Sequence, residues 1–136
     1  MSFKAISQIA GSAMSAQMVR LNTVASNLAN AGTVAGNEQD AYHARKPVFA
    51  AVMAADGSSS QVQVLDVIKS QDPVRKAYEP GNPLADKDGM VFYPNVNEVE
   101  EMTDMMSATR AFQTNIEVLS RVKTMQQDLL KMGDGA

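Results

Sequence analysis

The sequence contains no cysteine and no tryptophan, and aromatic residues make up only 5% of its 136 residues. Without cysteine the chain can form no disulfide bond or thiolate metal site, and it has no cysteine nucleophile. Ten methionines, with alanine, valine and leucine, supply the apolar surface instead. Because methionine side chains adapt to irregular contacts, this composition favours packing between helices over a bulky globular core.

Other features that the sequence lacks limit where the protein can act. The N-terminal residues do not resemble a cleavable signal peptide, and no stretch approaches the roughly 18 apolar residues that a membrane span needs. We therefore expect a chain that stays in the cytosol or is exported without a cleaved signal. The net charge is −3 and no basic stripe runs along the chain, which argues against nucleic-acid binding because that requires many phosphate contacts.

Residues 3–31 contain no proline, and apolar or small residues recur along them with helical spacing. After Ala10 the spacing alternates between three and four, as in the seam of a coiled coil. Gly32 stands where a glycine typically ends a helix. The sequence therefore predicts a long amphipathic helix. Its apolar stripe consists of Phe3, Ala10, Met14, Leu21, Val24 and Leu28, interrupted by Gln17.

Residues 97–132 contain neither glycine nor proline and predict a second long helix, which we expect Gly133 to end. Asn97 and Glu100 have the spacing of a capping box, and three glutamates in the first turn suit the positive end of the helix dipole. The apolar positions drift around this helix. They are Met105, Phe112 and Leu119, with Met102 and Ile116 beside them, and then Val118, Val122, Met125, Leu129 and Met132.

The middle of the chain reads as β-rich. Alternating residues on either side of "DGSSS" predict a hairpin over residues 47–70, residues 72–89 are turn-rich and extended, and "MVFYP" suggests one more short strand. The predicted fold class is α+β. Residues 1–32 and 97–136 form a domain in which the terminal helices pair as a coiled coil, and residues 33–96 form a β-rich insert on its outer side.

Two helices of this length would bury little against so small an insert, and most helix stability comes from packing. They would bury much against each other and more against neighbouring molecules, which favours a subunit of an assembly. We expect the assembly interface to contain Met14, Leu21, Val24, Asn27, Leu28, Asn30, Met105, Phe112, Ile116, Leu119, Val122 and Leu129.

Three quoted segments carry a resemblance over nearly the whole chain: "SNLANAGT", "DPVRKAYEPGNPLADKDGMVFYPNV" and "EMTDMMSATRAFQTN". The first is typical of the wider family of flagellar rod, hook and hook-associated axial proteins. The second and third are more specific, and in them the chain resembles the proximal-rod members of that family.

The resemblance implies a structural, non-enzymatic subunit without cofactor or metal. Such proteins polymerise in the periplasm into the flagellar rod, the drive shaft between motor ring and hook, and are needed for motility. The implied partners are other copies, the rod proteins FlgB, FlgF and FlgG, the ring-to-rod adaptor FliE and the flagellar type III export apparatus, through which the chain leaves the cytoplasm without a cleaved signal. It implies no nucleic acid and no membrane insertion.

Asn27 and Asn30 lie near the end of the first helix, although asparagine is a poor helix former. Their presence there calls for an explanation. One hypothesis is that they fix the register between subunits, as a buried asparagine does in coiled coils. The alternative is that they only cap the end of the helix, where carbonyls lack partners.

The sequence gives only weak support for other classes of function. A free helical adaptor, with the two helices as a stable hairpin that binds a partner helix, fits the apolar pattern but not the specific segments above. Asp86, Asp88 and Gly89 lack the spacing of a calcium loop, and His43, the only histidine, is better explained as a loop residue than as a catalytic base. The glutamates after Asn97 suit the helix dipole better than glycosidase chemistry.

Overall fold

The computed structural model describes residues 2–135. Two long helices come from the two ends of the chain, and four strands lie between them as two separate two-stranded antiparallel sheets. In chain order the elements are α1 (Phe3–Asn30), β1 (Arg45–Met53), β2 (Ser60–Lys69), β3 (Arg75–Tyr78), β4 (Met90–Tyr93) and α2 (Glu98–Asp134). The predicted α+β class, with terminal helices around a small β-containing segment, is confirmed.

The two helices pack against each other in antiparallel orientation. Phe3, at the start of α1, lies with Leu129, near the end of α2, around one hollow. Towards the other end, the Arg20 guanidinium bonds to the Asp104 carboxylate at 2.9 Å. α2 continues for five residues after Leu129, so about one turn of it extends past the start of α1.

Side-chain caps begin both helices. The Ser2 hydroxyl accepts a hydrogen bond from the backbone N–H of Ala5 at 3.1 Å. Asn97 Oδ1 accepts one from the backbone N–H of Glu100 at 3.2 Å, which confirms the predicted cap of α2.

One of the two predicted glycine stops is wrong. α2 continues through Gly133 to Asp134, since a glycine costs a helix only about 1 kcal/mol and does not by itself end it. The predicted stop at Gly32 has the right position, because α1 ends at Asn30 with Ala31 as its cap, although Gly32 does not adopt the left-handed conformation. The N–H of Thr33 closes the end of α1 by donating to the carbonyl of Asn30 at 3.1 Å.

The hairpin of β1 and β2 lies along α1. Its strands pair in antiparallel register with Ala51 opposite Val62, and an irregularity follows Val48. The backbone N–H of Val62 points away from β1 and donates to Ser12 Oγ of α1 at 3.1 Å. The predicted hairpin is confirmed, with β1 beginning two residues earlier than expected.

The sheet of β3 and β4 contains a strand that the sequence did not predict. Residues 72–89 were expected to be turns and extended chain, yet Arg75–Tyr78 pairs with β4. The strand was not predicted because Arg75 and Lys76 are adjacent charged residues, which do not follow an apolar alternation. Their cations lie over the aromatic rings of the opposite strand, with the Arg75 guanidinium 4.5 Å from the ring centre of Tyr93 and Lys76 Nζ 5.6 Å from that of Phe92.

A small apolar cluster joins this second sheet to the loop after α1. Ala41, Val74 and Phe92 are buried together, and Ala35 packs against them. Ala35 and Phe92 also exchange backbone hydrogen bonds of 2.9 and 3.0 Å. The long turn between β3 and β4 is closed by Gly89, whose φ of 75° favours glycine.

Candidate functional site

The end of α1 holds the returning chain through one buried amide, Asn27, which is only 1% exposed. Its Oδ1 accepts hydrogen bonds from the Arg45 backbone N–H and the Tyr42 hydroxyl, both at 2.9 Å. Its Nδ2 donates to the Arg45 carbonyl at 2.9 Å. Three bonds inside the chain thus occupy Asn27, which fixes where β1 leaves α1.

The second predicted amide behaves differently. Asn30 is partly exposed, and its Nδ2 donates to the carbonyl of Ser26 in its own helix at 2.8 Å. This bond agrees with the alternative hypothesis, in which the asparagine bonds only to the end of its own helix. The polar atoms of Asn27 are taken up within the subunit, whereas a register role of Asn30 stays a prediction.

Asn95 performs a similar role on the opposite side of the same joint, and sequence reasoning missed it. Its Oδ1 accepts from the Ala44 backbone N–H at 2.6 Å, and its Nδ2 donates to the Asp72 carbonyl at 2.8 Å. His43 Nδ1 lies 3.1 Å from the carbonyl of Ser70 beside it. The only signal in the sequence was an asparagine between proline and valine in the segment "YPNV", directly before α2.

A carboxylate is buried where α1, α2 and β1 meet. Glu101 is 6% exposed and lines a cavity of about 240 Å³ together with Arg20, Lys46 and Asp104. Burial raises the pKa of Glu101 above its ordinary value of 4.5, while the nearby Asn27 amide acts in the opposite direction. In the sequence Glu101 looked like one more exposed glutamate of the first helical turn.

The turn between β3 and β4 is held by Glu79. The Tyr93 hydroxyl donates to Glu79 Oε1 at 2.7 Å, and Asn82 Nδ2 donates to Oε2 at 3.0 Å. The bond from Tyr93 lowers the pKa of Glu79, and the same bond raises the pKa of Tyr93. This carboxylate therefore serves as an acceptor that fixes the loop.

The acidic turn at Asp86 is also a structural feature. Asp86 Oδ1 accepts hydrogen bonds from the backbone N–H groups of Asp88 and Met90, at 2.9 and 2.8 Å. Within residues 2–135 no group of three or more histidine, aspartate or glutamate side chains is arranged to hold a metal ion. Neither of the described helices is apolar enough over a sufficient length to cross a bilayer.

Most of the residues predicted for an assembly interface are covered within the single chain. Val24, Asn27 and Val122 are buried, and only two of the twelve, Ile116 and Leu129, are exposed. The rest are partly buried, namely Met14, Leu21, Leu28, Asn30, Met105, Phe112 and Leu119.

α2 carries apolar side chains that the subunit leaves more than half exposed. Near the start of the helix, Val99, Met102 and Met106 are 74%, 54% and 63% exposed. Near its end the exposed apolar residues are Met125, Leu129, Leu130 and Met132. Isolated exposed apolar residues are ordinary, but contiguous groups at both ends of one helix indicate contacts with other molecules.

Comparisons with known proteins agree with this geometry at both helices. The family model "Flagella basal body rod protein" matches residues 8–35, and "Flagellar basal body rod FlgEFG protein C-terminal" matches residues 87–132. These matches cover most of α1 and, at the other end, β4 with nearly all of α2.

Curated relatives match over almost the full length. The flagellar basal-body rod protein FlgC of Salmonella typhimurium is 50% identical over 128 residues, which are 94% of this chain and 96% of the relative. Those of Yersinia enterocolitica and Agrobacterium fabrum are 42% and 34% identical, over 98% and 93% of this chain and 99% and 94% of their own. The chain therefore belongs to the FlgC family of flagellar basal-body rod proteins, which are structural subunits of the bacterial flagellum.

Proposed function

We propose that the protein polymerises in the proximal part of the flagellar rod and transmits torque from the motor ring to the hook. The observation that carries this role is the apolar surface of α2, which stays uncovered at both ends of the helix. An exposed apolar surface of this kind is unfavourable in water, and a neighbouring subunit would remove it from solvent.

In this role the two helices form one inner domain, residues 1–32 and 97–136, paired as a coiled coil. The seven-residue spacing between Glu101 and Ala108, both buried on α2, supports such pairing. Residues 33–96 form the outer part and select which neighbours are accepted. The hydrogen bonds of Asn27 and Asn95 support this division, because they fix the outer part rigidly to one end of the helix pair.

The proposed interface contains those predicted residues whose side chains are exposed or partly exposed to solvent. It does not contain the predicted residues that are buried within the subunit. Ile116 and Leu129 are its exposed members, and the partly buried residues contribute at their margins. Val24, Asn27 and Val122 are left to the packing of the subunit itself. A register role for Asn27 between subunits would require it to give up a bond inside the chain.

The proposed partners are further copies, the rod proteins FlgB, FlgF and FlgG, and the adaptor FliE. The proposed route is the flagellar type III export apparatus, without a cleaved signal, into the rod that crosses the periplasm. The family membership of the chain supports this list.

The role can be tested by complementation of a non-motile strain that lacks its own FlgC. We expect the unmodified chain to restore swimming and rods in electron micrographs of isolated basal bodies. A matched pair of variants then separates folding from assembly. Met102→Asp, on the exposed face, should fold normally and abolish the rods, whereas Lys87→Asp, in an exposed loop, should leave them intact. Swimming by the Met102→Asp strain would refute the placement on α2.

A further inference from the structure

Within residues 2–135, Glu101 is the only buried residue of a charged type. It lines the cavity where α1, α2 and β1 meet, yet it forms no ion pair there. A buried carboxylate is unfavourable when it is ionised and no cation accompanies it. The position of Glu101 therefore calls either for a proton or for a cation that can move to it.

Charged side chains approach Glu101 from all three elements that surround it. They are Arg20 of α1, Arg45 and Lys46 of β1, and Glu100 and Asp104 of α2. Burial is the main cause that raises the pKa of Glu101, and the two acids add to it, whereas Asn27 and Lys46 lower it. Among these cations, Lys46 is thus the one whose charge favours the ionised acid.

The other two cations around the cavity already have partners. The Arg20 guanidinium bonds to the Asp104 carboxylate at 2.9 Å. The Arg45 guanidinium lies 6.0 Å from the ring centre of Tyr42, within reach of a cation–π contact. Lys46 is exposed, and it has no ion pair with any residue that the structure describes. Its ammonium is therefore free to approach Glu101.

The backbone next to Lys46 is held in place, so only the side chain has to move. Asn27 bonds to both the N–H and the carbonyl of Arg45 at 2.9 Å. Lys46 and Glu101 line the same cavity of about 240 Å³. A lysine stem is flexible, and turning it inward costs only part of its rotamer freedom. The ammonium can enter the cavity without a rearrangement of β1.

We propose that Glu101 and Lys46 form a pH-dependent latch between α2 and β1. When Glu101 is protonated, the acid is neutral and the Lys46 ammonium stays in solvent. When Glu101 releases its proton to solvent, its carboxylate draws the ammonium into the cavity, and the two form a charge-assisted hydrogen bond. This bond offsets only part of the cost of the buried charge, so the folded state still prefers the protonated acid.

The latch gives the outer part of the subunit a second attachment to the helix pair. Asn27 fixes β1 to α1 through groups that do not titrate. The latch fixes β1 to α2 as well, and only while Glu101 is ionised. The joint between the two parts of the subunit is thereby made sensitive to pH, whether or not the subunit polymerises.

A carbon-13 NMR titration of the Glu101 carboxyl group tests the latch on the purified full chain. Lys46→Met keeps a long apolar stem and removes the charge, so we expect it to raise the pKa of Glu101 further. Lys46→Arg should return that pKa close to its value in the unmodified chain. Arg45→Met removes the neighbouring cation on the same cavity and is the matched control, with little expected change.

Three results of this titration would overturn the proposal. They are a midpoint that Lys46→Met does not move, one that Arg45→Met moves equally, and one that Lys46→Arg fails to restore. Because both exchanged side chains are exposed, we expect all three variants to fold, which circular dichroism checks.

A second measurement detects the contact itself. In the unmodified chain, nuclear Overhauser effects between the Lys46 ε-protons and the Glu101 γ-protons should appear as pH rises through the titration of Glu101. In Glu101→Gln they should be absent at every pH. A contact that is present on both sides of the titration would mean permanent packing, and its absence on both sides would mean that Lys46 does not neutralise the acid. Either result overturns the latch.

Discussion

The two long helices differ in how much of their surface the subunit itself uses. α1 buries five residues in 28, because it packs on α2 along one side and on the hairpin of β1 and β2 along another. α2 buries three in 37, although its apolar side chains continue to its last turn. α1 is therefore the internal support of the subunit, whereas α2 leaves more of its apolar surface to solvent.

The strongest test of this difference introduces a charge on two faces of α2. Leu119→Asp places a carboxylate in the partly buried face towards α1, where its desolvation and the lost apolar contact should lower the free energy of unfolding by about 2–4 kcal/mol. Ile116→Asp, three residues earlier and exposed, should lower it by less than about 1 kcal/mol. Urea denaturation followed by circular dichroism measures both.

Equal losses from these two substitutions would mean that α2 does not present distinct inner and outer faces. Both variants should nevertheless fail to form rods, for different reasons. Leu119→Asp weakens the helix pair, whereas Ile116→Asp damages surface that a neighbour would cover.

A second comparison concerns two asparagines of the same α1 turn. Asn27→Ala removes a buried partner from the Arg45 backbone and from the Tyr42 hydroxyl, and should lower the free energy of unfolding by about 2–3 kcal/mol. Asn30→Ala removes one bond to the Ser26 carbonyl in the same helix and should lower it by less than about 1 kcal/mol. Thermal denaturation of both variants at one pH measures the difference, and similar melting temperatures would contradict the clamping role of Asn27.

The sequence was sufficient for those elements that depend on local signals. The 3.6-residue periodicity and the Asn97 cap located both helices to within two residues, and alternation located the first hairpin. The predicted stripe of α1, including Ala10 and Val24, does turn away from solvent. These features need no knowledge of distant parts of the chain.

The features that were missed depend on contacts between residues far apart in sequence. β3 exists because Arg75 and Lys76 find the rings of β4. Asn95 acquires its role only when Ala44 and Asp72 approach it. Glu101 becomes a buried acid only when the two helices and β1 meet. All four residues with missed roles, Arg75, Lys76, Asn95 and Glu101, have charged or amide side chains, so the sequence pattern alone predicted that they face solvent.

Two carboxylates should give the stability opposite dependences on pH. Burial raises the pKa of Glu101, so the folded state prefers the protonated acid and its contribution to stability decreases as pH rises above 4.5. The bond from Tyr93 lowers the pKa of Glu79, so its contribution is present above 4.5 and is lost as pH falls below that value.

Denaturant titrations between pH 3 and 8 distinguish the two effects. Relative to the unmodified chain, Glu101→Gln should become progressively more stable as pH rises, because the variant has no charge to bury. Glu79→Gln should become progressively less stable over the same range, because it lacks the carboxylate that accepts the hydrogen bond from the Tyr93 hydroxyl. Parallel profiles for the two variants would show that the joint of α1, α2 and β1 leaves Glu101 solvated.

The smallest expected effect lies within α2 itself and needs no substitution. In the free subunit, amide hydrogens of residues 101–122 should exchange slowly, because α1 covers that part of the helix, whereas those of residues 126–134, which only the first residue of α1 approaches, should exchange quickly. An isolated helix end of this length is marginal in water, since helices depend on packing. Equal protection along the whole of α2 would mean that its end is stable without a neighbour. If assembled rods then slow the exchange of residues 126–134 but leave that of α1 unchanged, the gain in order belongs to the helix that the subunit leaves incomplete.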